Sequence, residues 1–278
     1  MKIAIINDVH AGKPLMHGEK ARSSSREVMD TFESFLHELS ERHQPDLFIN
    51  MGDLIRSEAE EIDLERYHRL MESYKSLQQP VIHLLGNHEI KQVNSETIES
   101  VWKQHGFDQG SYGHRTFDHV DIIWLGIGKN EGEDGKLFLP EEQLKWLEQT
   151  LEKSTRPLLL FTHCAIDDHN VNGNFFYEYY DGRKKGSLFL ENQHHIRELI
   201  HARSNVVGVF QAHLHYFHSK VLEGIPYITC PAMNDNICGP EVTNNHPEIY
   251  TIVSLGDDQL IAKAYSREYC FAGFEGNV

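Results

Sequence analysis

The segment MKIAIINDVH, residues 1–10, decides the fold prediction because it joins a buried strand to the first chemical motif. Lys2 to Asn7 is a largely apolar run of the kind found in strands that are buried on both faces. Asp8 and His10 come directly after it. In open α/β sheets, side chains that follow the carboxyl ends of strands meet at one edge, where sites form. The segment therefore predicts a central strand with a polar site at its end.

Strands and helices alternate through the first half of the chain. Apolar residues repeat at helical spacing between Arg26 and His43, and again between Ile62 and Leu77. Apolar runs predict the next strands at Leu47 to Met51 and Val81 to Leu85. Strands separated by helices of this length indicate right-handed βαβ units and a mainly parallel sheet.

The second half predicts more strands and two further helices. The segments are a hairpin of Tyr112 to Phe117 with Val120 to Leu125, helices at Pro140 to Lys153 and Asn192 to Ala202, and strands at Pro157 to Phe161 and Val206 to Phe210. Four later runs predict consecutive antiparallel strands: Lys220 to Glu223, Pro226 to Cys230, Ile249 to Leu255 and Leu260 to Tyr265. The predicted fold class is α/β, with two packed sheets, helices outside, and one domain over residues 1–278.

Charge and composition limit the partners of the protein. A formal net charge of −16 opposes binding to duplex DNA or to an anionic membrane. The first apolar run is too short for a signal peptide, and no stretch reaches the roughly 20 apolar residues of a membrane span. Four well-separated cysteines form no CxxC pair and indicate reduced thiols. We expect a cytoplasmic protein, and the sequence leaves its oligomeric state open.

The polar clusters that follow the predicted strands have metal-ligand chemistry. A single DxH or HxH pattern is weak, because a lone histidine at a strand end is more often a hydrogen-bonded structural residue. Together, however, seven side chains fall at strand ends: Asp8, His10, Asp53, Asn87, His163, His213 and His215. Carboxylate, amide and imidazole groups suit Mn, Fe or Zn. Two such ions about 3.5 to 4 Å apart hold a bridging hydroxide at neutral pH and stabilise charge on a phosphoryl group.

These motifs resemble the calcineurin-like metallophosphoesterases, whose pattern is DxH, then GD, then GNH followed by Asp or Glu, then a lone His, then GHxH. The corresponding stretches are DVH at 8–10, GD at 52–53, GNHE at 86–89, THC at 162–164 and AHLH at 212–215. Order and spacing match over most of the chain. One departure is Ala212 in place of the usual glycine, which removes no ligand.

The resemblance implies a role for each matched position. It implies a four-layer α/β/β/α sandwich, in which two mixed sheets are flanked by helices. It implies that Asp8, His10, Asp53 and His215 bind one divalent ion, and that Asn87, His163, His213 and the bridging Asp53 bind the other. It leaves His88 free to face the leaving-group oxygen as a general acid or hydrogen-bond donor.

Two stretches bear on the substrate. The phosphoprotein phosphatases of this superfamily carry GDxVDRG, whereas this chain has GDLIRSE from Gly52, which argues against serine or threonine phosphatase activity. The loop from Asp167 to Ser187 contains five aromatic residues followed by basic ones, which suits a nucleobase and a second phosphate. We therefore take Arg56, Tyr179 and Arg183 as candidate substrate contacts. The alternative for this loop is a solvated segment whose aromatic residues pack on the domain.

The predicted function is hydrolysis of a phosphodiester or pyrophosphate bond in a small, nucleotide-like molecule, by in-line attack of a metal-bridging hydroxide. The alternative enzymatic activity is phosphomonoester hydrolysis on a small molecule. A non-catalytic metal-binding scaffold is the alternative outside them, but every ligand position and His88 are present. A metallo-β-lactamase-like hydrolase is disfavoured because its HxHxDH signature does not occur in the chain.

Overall fold

The computed structural model describes residues 1–17, 20–23, 25–129, 136–171, 188–234, 248–267 and 269–277. In chain order, its strands are β1 Lys2–Ile6, β2 Leu15–His17, β3 Lys20–Ser23, β4 Leu47–Asn50, β5 Val81–His83, β6 Gly113–Phe117, β7 Val120–Leu125, β8 Gly128–Lys129, β9 Leu137–Phe138, β10 Leu158–Thr162, β11 Val206–Gln211, β12 His218–Leu222, β13 Ile225–Thr229, β14 Ile249–Leu255, β15 Gln259–Ser266 and β16 Tyr269–Asn277. Its helices are α1 Ser25–His43, α2 Glu60–Lys75, α3 Glu89–Gln92, α4 Ser95–Gln104, α5 Glu141–Lys153 and α6 Gln193–His201.

Two six-stranded mixed sheets form the centre of the molecule. The first has the order β16-β15-β14-β1-β4-β5, in which β1, β4 and β5 are parallel and the other neighbours are antiparallel. The second has the order β12-β13-β11-β10-β7-β6, in which β7, β10, β11 and β13 are parallel. Both edge strands of the second sheet, β6 and β12, pair antiparallel with their neighbours. The pairs β2-β3 and β8-β9 form small separate ribbons.

Strand alternation explains why the central strands are apolar on both faces. Ile3 and Ile5 of β1 pack in one buried cluster with Phe161 of β10, so the two sheets face each other through them. The alternate residues Ala4 and Ile6 belong to a second cluster that includes residues of the surrounding helices. The result is two mixed sheets flanked by helices, as predicted.

Local patterns predict most of these elements to within one or two residues. The hairpin of β6 and β7 is confirmed, and α5 begins directly after Pro140. Two short helices, α3 and α4, and the last strand, β16, had no predicted bounds. None of the described helices has the length and apolarity required to cross a bilayer.

Of the four consecutive antiparallel strands predicted at the end of the chain, β12 and β13 pair antiparallel, as do β14 and β15, but β13 and β14 do not pair. β12 and β13 belong to the second sheet, where β13 also pairs parallel with β11. β14 and β15 belong to the first sheet, where β14 lies beside β1. Hydrophobic periodicity identifies a strand but not its partner, and here the chain changes sheet between β13 and β14.

Candidate metal centre

The sequence motifs converge at the carboxyl ends of five strands. Asp8 and His10 follow β1, Asp53 follows β4, and Asn87 follows β5, all in the first sheet. The second sheet contributes His163 after β10, with His213 and His215 after β11. The cluster therefore lies where the strand ends of both sheets meet, which is the expected place for a site in an α/β fold.

Asp8, His10 and His215 form one compact group of ligand atoms. His215 Nε2 is 3.0 Å from Asp8 Oδ1 and 3.1 Å from His10 Nε2. His10 Nε2 is also 3.8 Å from Asp53 Oδ2. Two imidazole nitrogens that face each other beside two carboxylates present their lone pairs to one point, as ligands of a shared cation do.

Asn87, His163 and His213 form the second group, and Asp53 lies between the two. His163 Nε2 is 3.5 Å from Asp53 Oδ2 and 3.2 Å from Asn87 Oδ1. The rings of His163 and His213 are 5.2 Å apart between centroids. The seven side chains therefore lie close together around Asp53, and their assignment to two separate ions stays a prediction from the resemblance.

Groups behind the cluster orient its side chains. The Nδ1 of His163 donates to the carbonyl oxygen of Met51 at 2.7 Å, which turns Nε2 toward Asp53 and Asn87. The side-chain amide of Asn7 donates to Asp8 Oδ2 at 2.6 Å, and the backbone N–H of His213 donates to the same oxygen at 3.2 Å. Outer hydrogen bonds of this kind fix the tautomer and the direction of metal-binding side chains.

Five of the seven side chains stand on backbone in the left-handed region. The φ angles are 52° at Asp8, 48° at His10, 55° at Asp53, 65° at His213 and 62° at His215. Residues with a Cβ rarely adopt this conformation, and it costs roughly 1 to 3 kcal/mol each where the surroundings do not compensate. Tight turns after the strands direct several ligands to one place, and the packed loops around them maintain the strain.

Two glycines allow the loops that carry Asp53 and Asn87 to touch. A Cβ at Gly52, whose φ is 93°, would lie 2.4 Å from the backbone nitrogen of Gly86. A Cβ at Gly86 would lie 2.1 Å from Asp53 Oδ1. The glycines of the GD and GNH motifs therefore permit a backbone approach that any other residue prevents.

Glu89 joins the same two loops from behind and had no role in the sequence-based prediction. Its fully buried carboxylate accepts hydrogen bonds from the backbone N–H groups of Asp53 at 2.9 Å, Leu54 at 2.6 Å and Gly86 at 2.8 Å. Burial raises the pKa of Glu89 to about 7, and the nearby charge of Asp53 acts in the same direction. In the sequence, this position can be recognised as the glutamate that follows GNH in the GNHE motif.

The electrostatics favour ionised carboxylates and neutral rings at His10 and His213, whereas the charge of Asp53 outweighs burial at His163 and raises the pKa of that imidazole to about 9. Burial opposes ionisation of Asp53, but the adjacent His163 and His88 outweigh it and hold the pKa of Asp53 well below its usual range. Burial, with the charge of His163, lowers the pKa of His213 to about 4. Burial also lowers the pKa of His10, and the charge of Arg56 adds to the shift. Charged carboxylates and neutral imidazoles are the protonation states in which these groups bind cations.

Comparison with known proteins identifies the family. A sequence profile described as calcineurin-like phosphoesterase matches residues 1–217. This chain belongs to the calcineurin-like phosphoesterases. Family membership makes it a metal-dependent hydrolase of phosphoric esters; the family works with dinuclear centres, and the described residues include groups that could hold metal ions. No significant match exists among curated protein sequences.

Solved structures share the fold of this calcineurin-like phosphoesterase at low sequence identity. A dimetal phosphatase from Danio rerio aligns with a TM-score of 0.76 at 14% identity, over 99% of this chain and 98% of its own. GAP50, the anchor in the inner membrane complex of Plasmodium, aligns at 0.63 and 11%, over 100% and 89%. The calcineurin-like phosphoesterase YfkN from Bacillus subtilis aligns at 0.53 and 11%, over 100% and 90%.

His88 lies beside both groups of the phosphoesterase centre. Its Nε2 is 4.0 Å from Asp53 Oδ2, and its ring stands edge-on to that of His10 at 4.7 Å. On the other side of the ring, Nδ1 is 2.8 Å from Ser57 Oγ and 3.1 Å from the carbonyl oxygen of Arg56. The Ser57 hydroxyl donates to the His88 carbonyl oxygen at 2.9 Å, so its oxygen is available to accept from Nδ1–H. The sequence-based prediction missed Ser57.

Of the three candidate substrate residues, the structure describes only Arg56. The backbone carbonyl oxygen of Arg56 is 3.1 Å from His88 Nδ1. Burial lowers the pKa of His88, and the positive charge of Arg56 lowers it further, as it does for His10. Tyr179 and Arg183 lie outside the described residues. Their role stays a prediction from sequence.

Proposed function

We propose that this phosphoesterase cleaves a phosphodiester or pyrophosphate bond in a small, nucleotide-like substrate. Carboxylate, amide and imidazole ligands fit two divalent cations of the Mn, Fe or Zn type, with Asp53 shared between them. The bound cations supply a nucleophilic water at neutral pH and neutralise charge on the phosphoryl oxygens. The ligand sets are Asp8, His10, Asp53 and His215 for one ion, and Asn87, His163, His213 and Asp53 for the other.

His88 is the group that we assign to the leaving-group oxygen. Its Nδ1–H is directed at Ser57 Oγ and the carbonyl oxygen of Arg56, so Nε2 is the atom that faces the centre. Donation from Nε2 requires the protonated imidazolium, because the neutral ring keeps its single proton on Nδ1; in that form Nε2–H donates a hydrogen bond or its proton to the departing oxygen. The described residues place neutral oxygens, and no carboxylate, within hydrogen-bond distance of Nδ1. Among the proposed substrates, this environment favours a pyrophosphate bond, whose leaving group is a phosphate, over the diester bond of a cyclic nucleotide, whose leaving group is an alkoxide.

The position of Arg56 carries the proposal. Its backbone carbonyl oxygen is 3.1 Å from His88 Nδ1, and its positive charge adds to the effect of burial in lowering the pKa of His10 and His88. A monoester or a simple diester needs no cation for its leaving group, whereas a nucleoside diphosphate derivative carries a second phosphate there. Arg56 offers bidentate hydrogen bonds to that phosphate. The aromatic and basic residues of the loop at 172–187 support the same substrate class from sequence.

A substrate panel tests this proposal directly. The apoprotein is prepared with a chelator and supplied separately with Mn²⁺, Fe²⁺, Zn²⁺ or Ni²⁺. Rates are then measured on p-nitrophenyl phosphate, bis-p-nitrophenyl phosphate, cyclic nucleotides and nucleoside diphosphate derivatives. We expect the highest kcat/KM on a diester or a nucleoside diphosphate derivative. A clear preference for the monoester contradicts the proposal and favours the phosphomonoesterase alternative.

An Arg56→Ala variant tests the contact on which the proposal depends. We expect KM for nucleoside diphosphate derivatives to rise about 10-fold or more, since a charge-assisted hydrogen bond contributes about 1.5 to 3 kcal/mol. The KM for bis-p-nitrophenyl phosphate, which lacks a second phosphate, should change much less. Arg69→Ala is the matched control, because Arg69 pairs with Asp30 on an exposed surface. Equal effects of Arg56→Ala on both substrates contradict the assignment.

We also propose that the protein works in the cytoplasm and binds neither duplex DNA nor an anionic membrane. The net charge of −16 favours a small phosphorylated substrate over duplex DNA or an anionic membrane. The buried thiols of Cys164 and Cys230 suit a reducing cytoplasm. Cell fractionation with an antibody tests the location, and the electrophoretic mobility of DNA mixed with the protein tests nucleic-acid binding.

A further inference from the structure

A second cluster of metal-binding side chains lies outside the dinuclear centre. Asp167 and His169 are in the loop after β10, and His218 is the first residue of β12. Asp167 is fully buried and His169 is 6% exposed. None of the three belongs to the seven ligands of the dinuclear centre. One carboxylate and two imidazoles from distant parts of the chain thus meet at a separate place.

The three side chains are arranged like the ligands of a single metal ion. His169 Nδ1 is 2.8 Å and 2.9 Å from the two oxygens of Asp167. The ring of His218 stacks on that of His169, with centroids 3.9 Å apart and planes inclined by 22°. One ligand atom from each residue lies within 4.8 Å of the others, a proximity that Asp8, His10 and His215 also show.

Hydrogen bonds do not explain the position of His218. Its Nε2 atom is buried and has no hydrogen-bond partner among the described residues. Leaving a buried polar atom unsatisfied costs about 1 to 3 kcal/mol. Burial and the neighbouring His169 both lower the pKa of His218, so its ring favours the neutral form that binds metals.

The other side of His169 is occupied as it is in metal-binding histidines. Its Nε2 contacts the hydroxyl of Tyr216. An imidazole that binds a metal through one nitrogen commonly uses the other to donate to a polar group, which fixes the tautomer. The Lys220 ammonium also donates to the carbonyl oxygen of Asp167 at 3.4 Å and so ties this loop to β12.

A hydrogen-bonded relay from Asp167 through His169 to Tyr216 is the competing explanation. It accounts for both nitrogens of His169 without an ion. It gives no reason for His218 to stack on His169 or to bury Nε2 without a partner. A cation held by all three residues accounts for the contacts of His169 and for the position of His218.

We propose that Asp167, His169 and His218 bind a single divalent transition-metal ion, separate from the dinuclear centre. Two imidazoles and a carboxylate are a ligand set for Zn²⁺ or Fe²⁺, with remaining positions for water. The ion links the loop after β10 to the start of β12, three residues beyond His215. It therefore anchors the segment that carries His213 and His215.

Metal stoichiometry tests this site without relying on hydrolysis. The proteins are stripped with a chelator, loaded with Zn²⁺, freed of excess metal by gel filtration and analysed for zinc per chain. We expect His218→Ala and Asp167→Asn to bind one zinc fewer than the wild type. His195→Ala, which removes an exposed imidazole, should bind the same number as the wild type. Equal zinc content in wild type and His218→Ala overturns the proposal.

A second pair of variants separates this site from the dinuclear centre. Asp53→Asn removes the shared ligand of the proposed pair, so it should lose zinc from that centre and keep the ion at Asp167. Adding His218→Ala to Asp53→Asn should then remove one more zinc. No further loss in the double variant overturns the proposal, even if the phosphodiesterase assignment holds. Circular dichroism establishes that His218→Ala is folded, and this variant decides the result if Asp167→Asn does not fold.

Discussion

At the scale of single residues, the stretch GDLIRSE differs from the phosphoprotein phosphatase signature, and two of its residues contact His88. Sequence comparison shows only that GDLIRSE lacks the aspartate and glycine of GDxVDRG. In the fold, the stretch bends so that Ser57, with a φ of 59°, directs its hydroxyl to His88. The carbonyl oxygen of Arg56 contacts the same ring nitrogen of His88, Nδ1. Neutral oxygens thus orient the ring of His88 in this protein.

Ser57→Ala should lower kcat by about 3- to 10-fold and leave KM and metal content unchanged. The variant removes one neutral hydrogen bond, worth about 0.5 to 1.5 kcal/mol, while the Arg56 carbonyl still orients the ring. His88→Ala should lower kcat by about 10² to 10⁴. Steady-state kinetics on the best diester or diphosphate substrate measure both effects.

Ser34→Ala is the control for this substitution, because its hydroxyl donates only to the carbonyl oxygen of Thr31 on an exposed helix surface. It should have wild-type kinetics. An unchanged kcat in Ser57→Ala, or a loss of bound metal in that variant, would show that the hydroxyl does not act through His88.

At the scale of elements, Glu89 connects two loops that belong to different βα units. It begins α3, and its carboxylate holds backbone N–H groups of the loop after β4 and of Gly86 after β5. These loops present Asp53, which both ligand groups share, and Asn87 of the second group. The position of Asp53 relative to Asn87 therefore depends on a side chain that is itself not one of the seven candidate ligands.

Glu89→Gln should destabilise the fold by about 1 to 3 kcal/mol and weaken metal binding at both positions. The amide keeps one acceptor oxygen, but its NH₂ group faces a backbone N–H that then has no acceptor. Chemical denaturation measures the free energy of unfolding, and competition with a chromophoric chelator measures metal affinity.

Glu99→Gln is the matched control, since Glu99 accepts a single backbone hydrogen bond, from Ser111, away from the centre. Its metal affinity should equal that of the wild type. If Glu89→Gln loses stability but keeps full metal affinity, then Glu89 supports the fold without setting the ligand geometry.

Elements in the first half of the chain were predictable because each is decided locally. Apolar periodicity and the alternation of strand and helix suffice for β1, α1, β4, α2 and β5, and the motifs at the strand ends locate the candidate ligands that the fold brings together. The last strand, β16, was missed because it is an edge strand with Gly273 and Gly276 and exposed Tyr269. Ser57 was missed because its partner His88 is 31 positions away, and Glu89 because two of its three backbone partners, Asp53 and Leu54, are 36 and 35 positions away.

At the scale of the whole molecule, the end of the chain completes both sheets and supports the centre. β14 is the antiparallel neighbour of β1, and β13 is the parallel neighbour of β11. The backbone N–H of Met233 donates to the carbonyl oxygen of Asn7 at 2.9 Å, and the side chain of Asn234 donates to that of Val9 at 3.1 Å. The family profile ends at residue 217, but the loop that carries Asp8 is anchored by residues beyond it.

A chain shortened to residues 1–217 should therefore neither unfold cooperatively nor retain two metal ions. β1 and β11 each lose a neighbour, which exposes their buried surface and unpaired backbone groups to water. A chain shortened to residues 1–267 is the matched control, because it lacks only β16, whose Tyr269 and Phe271 are 73% and 38% exposed. It should unfold cooperatively and bind metal, at a lower melting temperature than the full chain. Thermal melts followed by circular dichroism, with metal analysis of each protein, distinguish these outcomes. Cooperative unfolding of residues 1–217 with a full complement of metal would show that the motif-bearing region forms the centre by itself.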